Sequence, residues 1–286
     1  PLSNLLSRLG PVKRVMESVL GIDARRPLPT FERDTFERWF AGHDPEPAEG
    51  DLDRDIALFV DCYINYNEPA IGKAAVRVLE RMGASIELAD NTCCGRAALS
   101  KGFIDEAEGY ADEHIGQLVG LVDAGYDLVA VEPSCAAMLK DEYLDFYEDD
   151  RVERLAANSY ELMDYLDAHL DDAGLEFDEI DRSVAFHSHC HTKHLGIDRA
   201  GAKVLERVPG LSVDEPQVSC CGMAGSFGYQ SDYYDLSLDI GENLFSQIRA
   251  SGGDPVATGF SCRHQIQDGM GREASHPIEL LDERTG

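Results

Sequence analysis

The sequence predicts an α/β protein made of two duplicated parallel-sheet halves behind a helical leader. Three observations carry this expectation. First, the eight cysteines form two sets of four, Cys62, Cys93, Cys94 and Cys135 followed by Cys190, Cys220, Cys221 and Cys262, at offsets of 128, 127, 127 and 127 positions. Second, the words between them recur: Val78-Leu79-Glu80-Arg81 returns as Val204-Leu205-Glu206-Arg207, and Cys93-Cys94-Gly95 as Cys220-Cys221-Gly222. Third, short apolar runs alternate with helical periods, the pattern of strand–helix–strand units around a parallel sheet.

The elements follow in chain order. Residues 1–54 read as a helical leader, with Leu2, Leu5, Leu6, Leu9, Val12, Val15, Met16 and Val19 in an apolar stripe interrupted at Gly10-Pro11. The first half, 55–180, opens with the apolar run Ile56 to Val60, a buried strand that ends at Cys62. A helix over 74–82 and a strand over 86–88 lead to the Cys93-Cys94 loop. A long helix over 106–124 and a strand over 127–131 then reach Cys135. The second half, 181–286, repeats the order: strands at 184–186, 211–213 and 254–258, helices over 202–208 and 235–250. In parallel sheets of this kind ligands bind beyond the carboxyl ends of the strands. All eight cysteines are expected on that rim.

Composition bounds the function. With 54 acidic and 25 basic residues the formal charge is −29, which argues against nucleic acid as a partner. Only 6 basic residues are lysine and the acids are spread along the chain, a pattern suited to a halophilic, salt-accumulating cell interior, where screening shortens to about 3 Å at molar salt. Residues 1–26 carry +3 and the remainder −32, so the leader could dock on a membrane surface or a partner, or pack on its own core. No run of 18 apolar residues and no secretory leader is visible, which places the expected location in the cytoplasm, peripheral to the inner face of the membrane at most.

Disulfides fit the cysteines poorly, since the chain is large and adjacent cysteines cannot pair without strain. Inert core thiols do not account for a complete fourfold repeat. Metal does: four thiolates satisfy a tetrahedral zinc ion or a four-cysteine iron–sulfur cluster. Ligands scattered over about 75 residues and including adjacent pairs favour a cluster of the 4Fe–4S type, with zinc in one half the alternative. Glycine after each pair lets the backbone approach and donate N–H groups to sulfur. His187, His189, His191 and His194 crowd around Cys190 without counterparts at Cys62, which favours supporting or proton-handling roles for His189 and His191 over ligation, while His264 and His276 read as structural. Residues 222–228 lack the order of a phosphate loop and read as a flexible loop wrapping a cluster; no Ser–His–Asp order is present.

These residues resemble the cysteine-rich CCG domain proteins, a family that includes the cysteine-rich subunits of heterodisulfide reductase, of lactate and glycolate oxidases, and of anaerobic glycerol-3-phosphate dehydrogenase, the last being the nearest likeness. The resemblance rests on Cys62-Tyr-Ile-Asn-Tyr-Asn-Glu-Pro69, the two Cys-Cys-Gly words, Glu132-Pro-Ser-Cys135 with Lys140-Asp-Glu-Tyr143, Gly222-Met-Ala-Gly225, and His276-Pro-Ile-Glu-Leu-Leu281. It implies an iron–sulfur protein that passes electrons from a flavoprotein dehydrogenase, of the glycerol-3-phosphate or 2-hydroxy-acid type, toward membrane quinone. The other readings are a heterodisulfide-reductase-like protein that reduces a disulfide at a cluster, and a zinc-binding scaffold without redox activity. Family members often carry a ferredoxin-like domain ahead of the CCG halves; none is visible here, and a partner could supply it. Many end a half in Cys-x-x-Cys, whereas Cys135 and Cys262 stand alone, which puts a five-cysteine cluster in doubt.

Overall fold

The structure, a computed structural model, describes residues 2–90 and 92–282. The first half holds a four-stranded sheet of order β2-β1-β3-β4, from β1 (Asp55–Phe59), β2 (Ser85–Leu88), β3 (Asp127–Ala130) and β4 (Ser159–Glu161). The second holds a three-stranded sheet of order β6-β5-β7, from β5 (Arg182–His187), β6 (Leu211–Asp214) and β7 (Asp254–Ala257). All pairings are parallel, and the register is duplicated: Phe59 lies opposite Ala130, and His187 opposite Ala257. The two parallel-sheet α/β halves and the helical leader are therefore as the repeat predicts.

β4 is not among the expected strands, because three residues are too few to show a period. Its place beside the second sheet is taken by a single parallel bridge between Val256 and Ser275. The expected helices start or end a few residues off, at Pro69–Met82, Ile104–Asp123, Ala200–Glu206 and Tyr234–Ser251.

Strand alternation sorts the interior into three clusters. Ile56, Leu58 and Val129 of the first sheet share one core with Val184, Phe186 and Val256 of the second. Helices Pro69–Met82, Leu162–Ala173, Ala200–Glu206 and Pro277–Asp282 contribute to this common core. One core thus crosses the 180/181 boundary, and the last helix packs against Pro69–Met82, where Arg77 pairs with Asp282. The other strand faces, Ala57, Phe59, Leu128 and Ala130 in the first sheet and Ala185 and Ala257 in the second, form two local cores. The first local core includes Cys94 and Cys135, the second Cys221 and Cys262.

The leader folds as helices Leu2–Leu6, Gly10–Leu20 and Phe36–Phe40. Gly10-Pro11 separates the first two because proline is tolerated only at the start of a helix. Neither fully buries a residue: Val12 and Met16 are half-buried, while Leu2 is 71% and Val19 72% exposed. Phe36 of the third helix is fully buried in the common core.

Candidate metal centre

Each half builds its cysteines from the same local devices. Cys62 and Cys190 open five-residue helices just past β1 and β5. Residue 61 or 189 caps that helix: the Asp61 carboxylate accepts from the Tyr63 and Ile64 N–H groups at 2.8 and 3.2 Å, and His189 Nδ1 accepts from the His191 N–H at 3.2 Å. Cys135 and Cys262 lie in the helices that follow β3 and β7, Pro133–Ala137 and Phe260–Met270. The adjacent pairs occupy the loops after β2 and β6. Gly95 and Gly222 behind them have φ of +82° and +90°, a region favouring glycine. In the second half the Gly222 N–H donates to Cys220 Sγ at 3.3 Å.

All eight thiols are free, and they divide identically. Cys94, Cys135, Cys221 and Cys262 are buried, while Cys62, Cys93, Cys190 and Cys220 reach solvent wholly or in part. In the first half the Sγ atoms of Cys94 and Cys135 are 2.9 Å apart, and the Cys94 carbonyl accepts from the Tyr143 hydroxyl at 3.0 Å. His114 Nδ1 lies 2.7 Å from that hydroxyl. In the second half, ligand atoms of Cys221, Cys262 and His187 all fall within 4.8 Å of one another. Among the described residues this is the one cluster of three potential ligand atoms that close.

Burial and neighbouring acids and thiols raise these cysteines. Burial, then Asp61 and Cys93, push the Cys62 thiol up to about 11. Cys93 and Cys220 are raised by the hydrogen bonds to their neighbours Cys94 and Cys221 and by burial. The hydrogen bond from Cys94 pulls Cys135 down, but burial with the charges of Asp61 and Glu132 leaves it at about 12. Cys190 is raised by burial and by Cys220. Such thiols hold their protons at neutral pH, and a bound metal supplies the positive charge that converts them to thiolate ligands. Four sulfur donors per half, two of them buried, are the donor type that an iron–sulfur cluster or a zinc ion takes. The sulfur donors available to such a group are these eight cysteines.

The histidines separate. His194 is exposed and bonds Asp141 at 2.8 Å. Burial holds His189 down to about 4 and His191 to about 3. His276 is fully buried, its Nδ1 accepting from the Ile278 N–H at 3.1 Å, and the His264 ring lies tilted against Phe260 with centroids 4.2 Å apart. His187 is 1% exposed, and among the described residues neither ring nitrogen has a partner. Sequence reasoning groups it with its neighbours and gives it no role of its own. The signal lies in the repeat itself, which aligns His187 with Phe59 and so marks a polar residue where its twin is apolar. The loop at 222–228 is pinned rather than free: Arg26 from the leader donates Nε–H to the Gly228 carbonyl at 2.8 Å.

The two halves meet beside the thiols. The rings of Tyr63 and Phe260 stack at 3.7 Å, and the Glu132 carboxylate accepts from the Phe260 N–H at 2.9 Å. Among the described residues no helix is long and apolar enough to cross a membrane.

Comparison with known proteins agrees with this duplicated arrangement. The cysteine-rich domain family model, CCG, matches residues 56–140 and again 184–267. One of the subunits of anaerobic glycerol-3-phosphate dehydrogenase from Escherichia coli K12 is 32% identical, over 98% of this chain and 71% of the relative. "Lactate utilization protein A" of an Exiguobacterium species is 31% identical over 79% and 94% of the two chains, and that of Geobacillus kaustophilus 37% over 60% and 73%. The chain belongs to the CCG cysteine-rich domain family and carries two copies of the domain.

Proposed function

We propose that this chain is the iron–sulfur electron-transfer subunit of a flavin-dependent dehydrogenase acting on glycerol 3-phosphate or a 2-hydroxy acid, and that it delivers electrons toward membrane quinone. The observation that carries the reading is the repeated quartet: Cys62, Cys93, Cys94 and Cys135 in one half and Cys190, Cys220, Cys221 and Cys262 in the other, each on a sheet's carboxyl rim with two thiols inside a local core and two toward solvent. An iron–sulfur cluster supplies one-electron chemistry when bound. The protein's part is to hold it, shield its inner side and bring the two sets close. The Tyr63–Phe260 stack supports such closeness, since Tyr63 follows Cys62 and Phe260 stands two residues before Cys262.

The relatives' names concern a dehydrogenase and the use of lactate, both consistent with a small hydroxylated substrate oxidised by a partner flavoprotein. A ferredoxin-like iron–sulfur domain would be a second partner. The exposed apolar leader, interleaved with Arg8, Lys13 and Arg14, suits docking on the cytoplasmic face of the membrane or on a partner protein.

Metal and sulfide analysis with electron paramagnetic resonance, before and after dithionite, tests the proposal on anaerobically prepared protein. About four irons per half with a reducible signal are expected for 4Fe–4S clusters. Zinc alone, or eight free thiols that take up no iron on reconstitution, would remove the relay reading. Turnover of disulfide substrates with a reduced viologen and no flavoprotein would reassign the chain as a reductase.

A further inference from the structure

We propose that His187 is a nitrogen ligand of the second-half metal centre, alongside Cys221 and Cys262, so that the two duplicated centres differ in kind: the first bound by sulfur alone, the second by sulfur and imidazole. The inference rests on the reading that the cysteine quartets hold metal.

Geometry places the ring. His187 is the last residue of β5, the central strand of the second sheet. Side chains alternate along a strand, and Val184 and Phe186 face the common core, so Ala185 and His187 face the other way. That face is the local core containing Cys221 and Cys262, which arrive from the loop after β6 and the helix after β7. The carboxyl ends of all three strands thus converge on one spot, and the donor atoms lie within 4.8 Å of one another. Donor atoms around one tetrahedral metal stand about 3.5–3.8 Å apart, from bond lengths of about 2.0 Å to nitrogen and 2.3 Å to sulfur, so only a small adjustment closes the set.

The hydrogen-bond inventory points the same way. A buried polar group without a partner costs about 1–3 kcal/mol, and native structures seldom keep one without a reason. Among the described residues His187 is the one histidine with both nitrogens buried and unpartnered; His114, His191 and His276 each leave one. A structural histidine would have a partner like the Ile278 N–H at His276. In the first half the equivalent position is Phe59, which offers no donor and packs edge-on against His114 at 5.3 Å. The substitution of imidazole for phenyl is therefore specific to one half, at the point where its twin faces Cys94 and Cys135.

The experiment compares the wild-type chain with His187→Phe, which reproduces the first half's own residue in a similar volume, and with His187→Cys, which replaces nitrogen by sulfur. Metal and sulfide are measured per chain after anaerobic preparation and a chelator wash. Nitrogen ligation is read by pulsed paramagnetic resonance with 15N-histidine labelling, and by X-ray absorption at the iron and zinc edges. The expected wild type shows a directly bound histidine nitrogen at one edge, which also tells whether the ion is iron or zinc. His187→Phe loses that nitrogen and the second-half centre's share of the metal, while the first-half signal persists as the internal check on folding. His187→Cys retains the metal and loses the nitrogen. A wild type with metal but no bound nitrogen, or a His187→Phe variant with unchanged metal and spectrum, overturns the ligand assignment and leaves the electron-transfer reading standing. A wild type that binds no metal after reconstitution overturns both.

Discussion

Replacing the two motif glycines one at a time separates backbone strain from crowding within a single chain. Gly95 and Gly222 occupy equivalent positions and share a positive φ, at which a Cβ costs about 1–2 kcal/mol. Their surroundings differ. A Cβ on Gly95 would come no closer than 3.3 Å to the Tyr110 side chain, whereas one on Gly222 would stand 2.3 Å from the Ser237 carbonyl oxygen and 3.0 Å from Gly241 N and Gln265 Nε2. Backbone cannot swing aside as a side chain can, so Gly222→Ala adds an overpacking cost of about 1–3 kcal/mol to the same strain. The expected losses are about 1–2 kcal/mol for Gly95→Ala and about 2–5 kcal/mol for Gly222→Ala. Urea unfolding of both variants under anaerobic conditions measures the difference as a shift in midpoint at constant slope. Equal shifts, or a larger one for Gly95→Ala, would refute the reasoning that the second CCG glycine is fixed by the helix packed against it.

Arg26→Met should destabilise the second half by about 3–5 kcal/mol, because it withdraws the buried guanidinium from Asp268, left with the Tyr234 hydroxyl, and from the Gly228, Gln265 and Ser237 acceptors. Thiol labelling of the metal-free protein should then speed up at Cys221 and not at Cys94; equal rates would show that the leader does not brace the second loop. Glu161 is buried with Oε1 unpartnered, and burial pushes its carboxyl up to about 8. The folded state therefore keeps a proton that the unfolded chain releases near pH 4.5, and stability is expected to fall as pH rises from about 4.5 to 8. Glu161→Gln, which can still accept from the Met163 and Asp164 N–H groups, should flatten that part of the stability–pH curve; parallel curves would remove Glu161 as its source.

The fold and the candidate ligands were legible because both are written twice. Duplication of Cys62, Cys93, Cys94 and Cys135 at constant offset fixes which positions are equivalent, and a strand such as Ile56 to Phe59 is apolar enough to read without a partner. What escaped notice is what is not repeated. β4 has no twin strand, and its three residues carry no period. His187 escaped because a search for symmetry discounts unduplicated ligands, although strand parity after Val184 and Phe186 already turns it toward the cysteines. Exposure of the leader was equally hidden, since an amphipathic stripe looks the same whether it covers a core or awaits one.

Divergence between the halves also predicts an order of reduction. In the first half, besides burial, Asp61 and Glu132 both raise the Cys62 and Cys135 thiols; burial and Glu132 push Asp61 itself up to about 7, so Glu132 with the ionised part of Asp61 opposes further negative charge on that centre. The nearby cations are engaged elsewhere, Arg96 with Glu142 and Arg263 with Glu68. In the second half the equivalents of those acids are His189, held neutral by burial, and Gly259, whose lack of a side chain leaves room for the His189 ring. Lys193 there works against the burial that raises Cys190 and Cys220, the opposite influence. Adding an electron to a centre is easier beside a cation and harder beside carboxylates. A redox titration followed by paramagnetic resonance should therefore reduce the second-half centre first, and Asp61→Asn should narrow the gap by raising the first. A first-half centre that reduces before the second, or a gap untouched by Asp61→Asn, would mean that these carboxylates do not set the order, and that electrons need not run from the Cys62 side toward the Cys190 side.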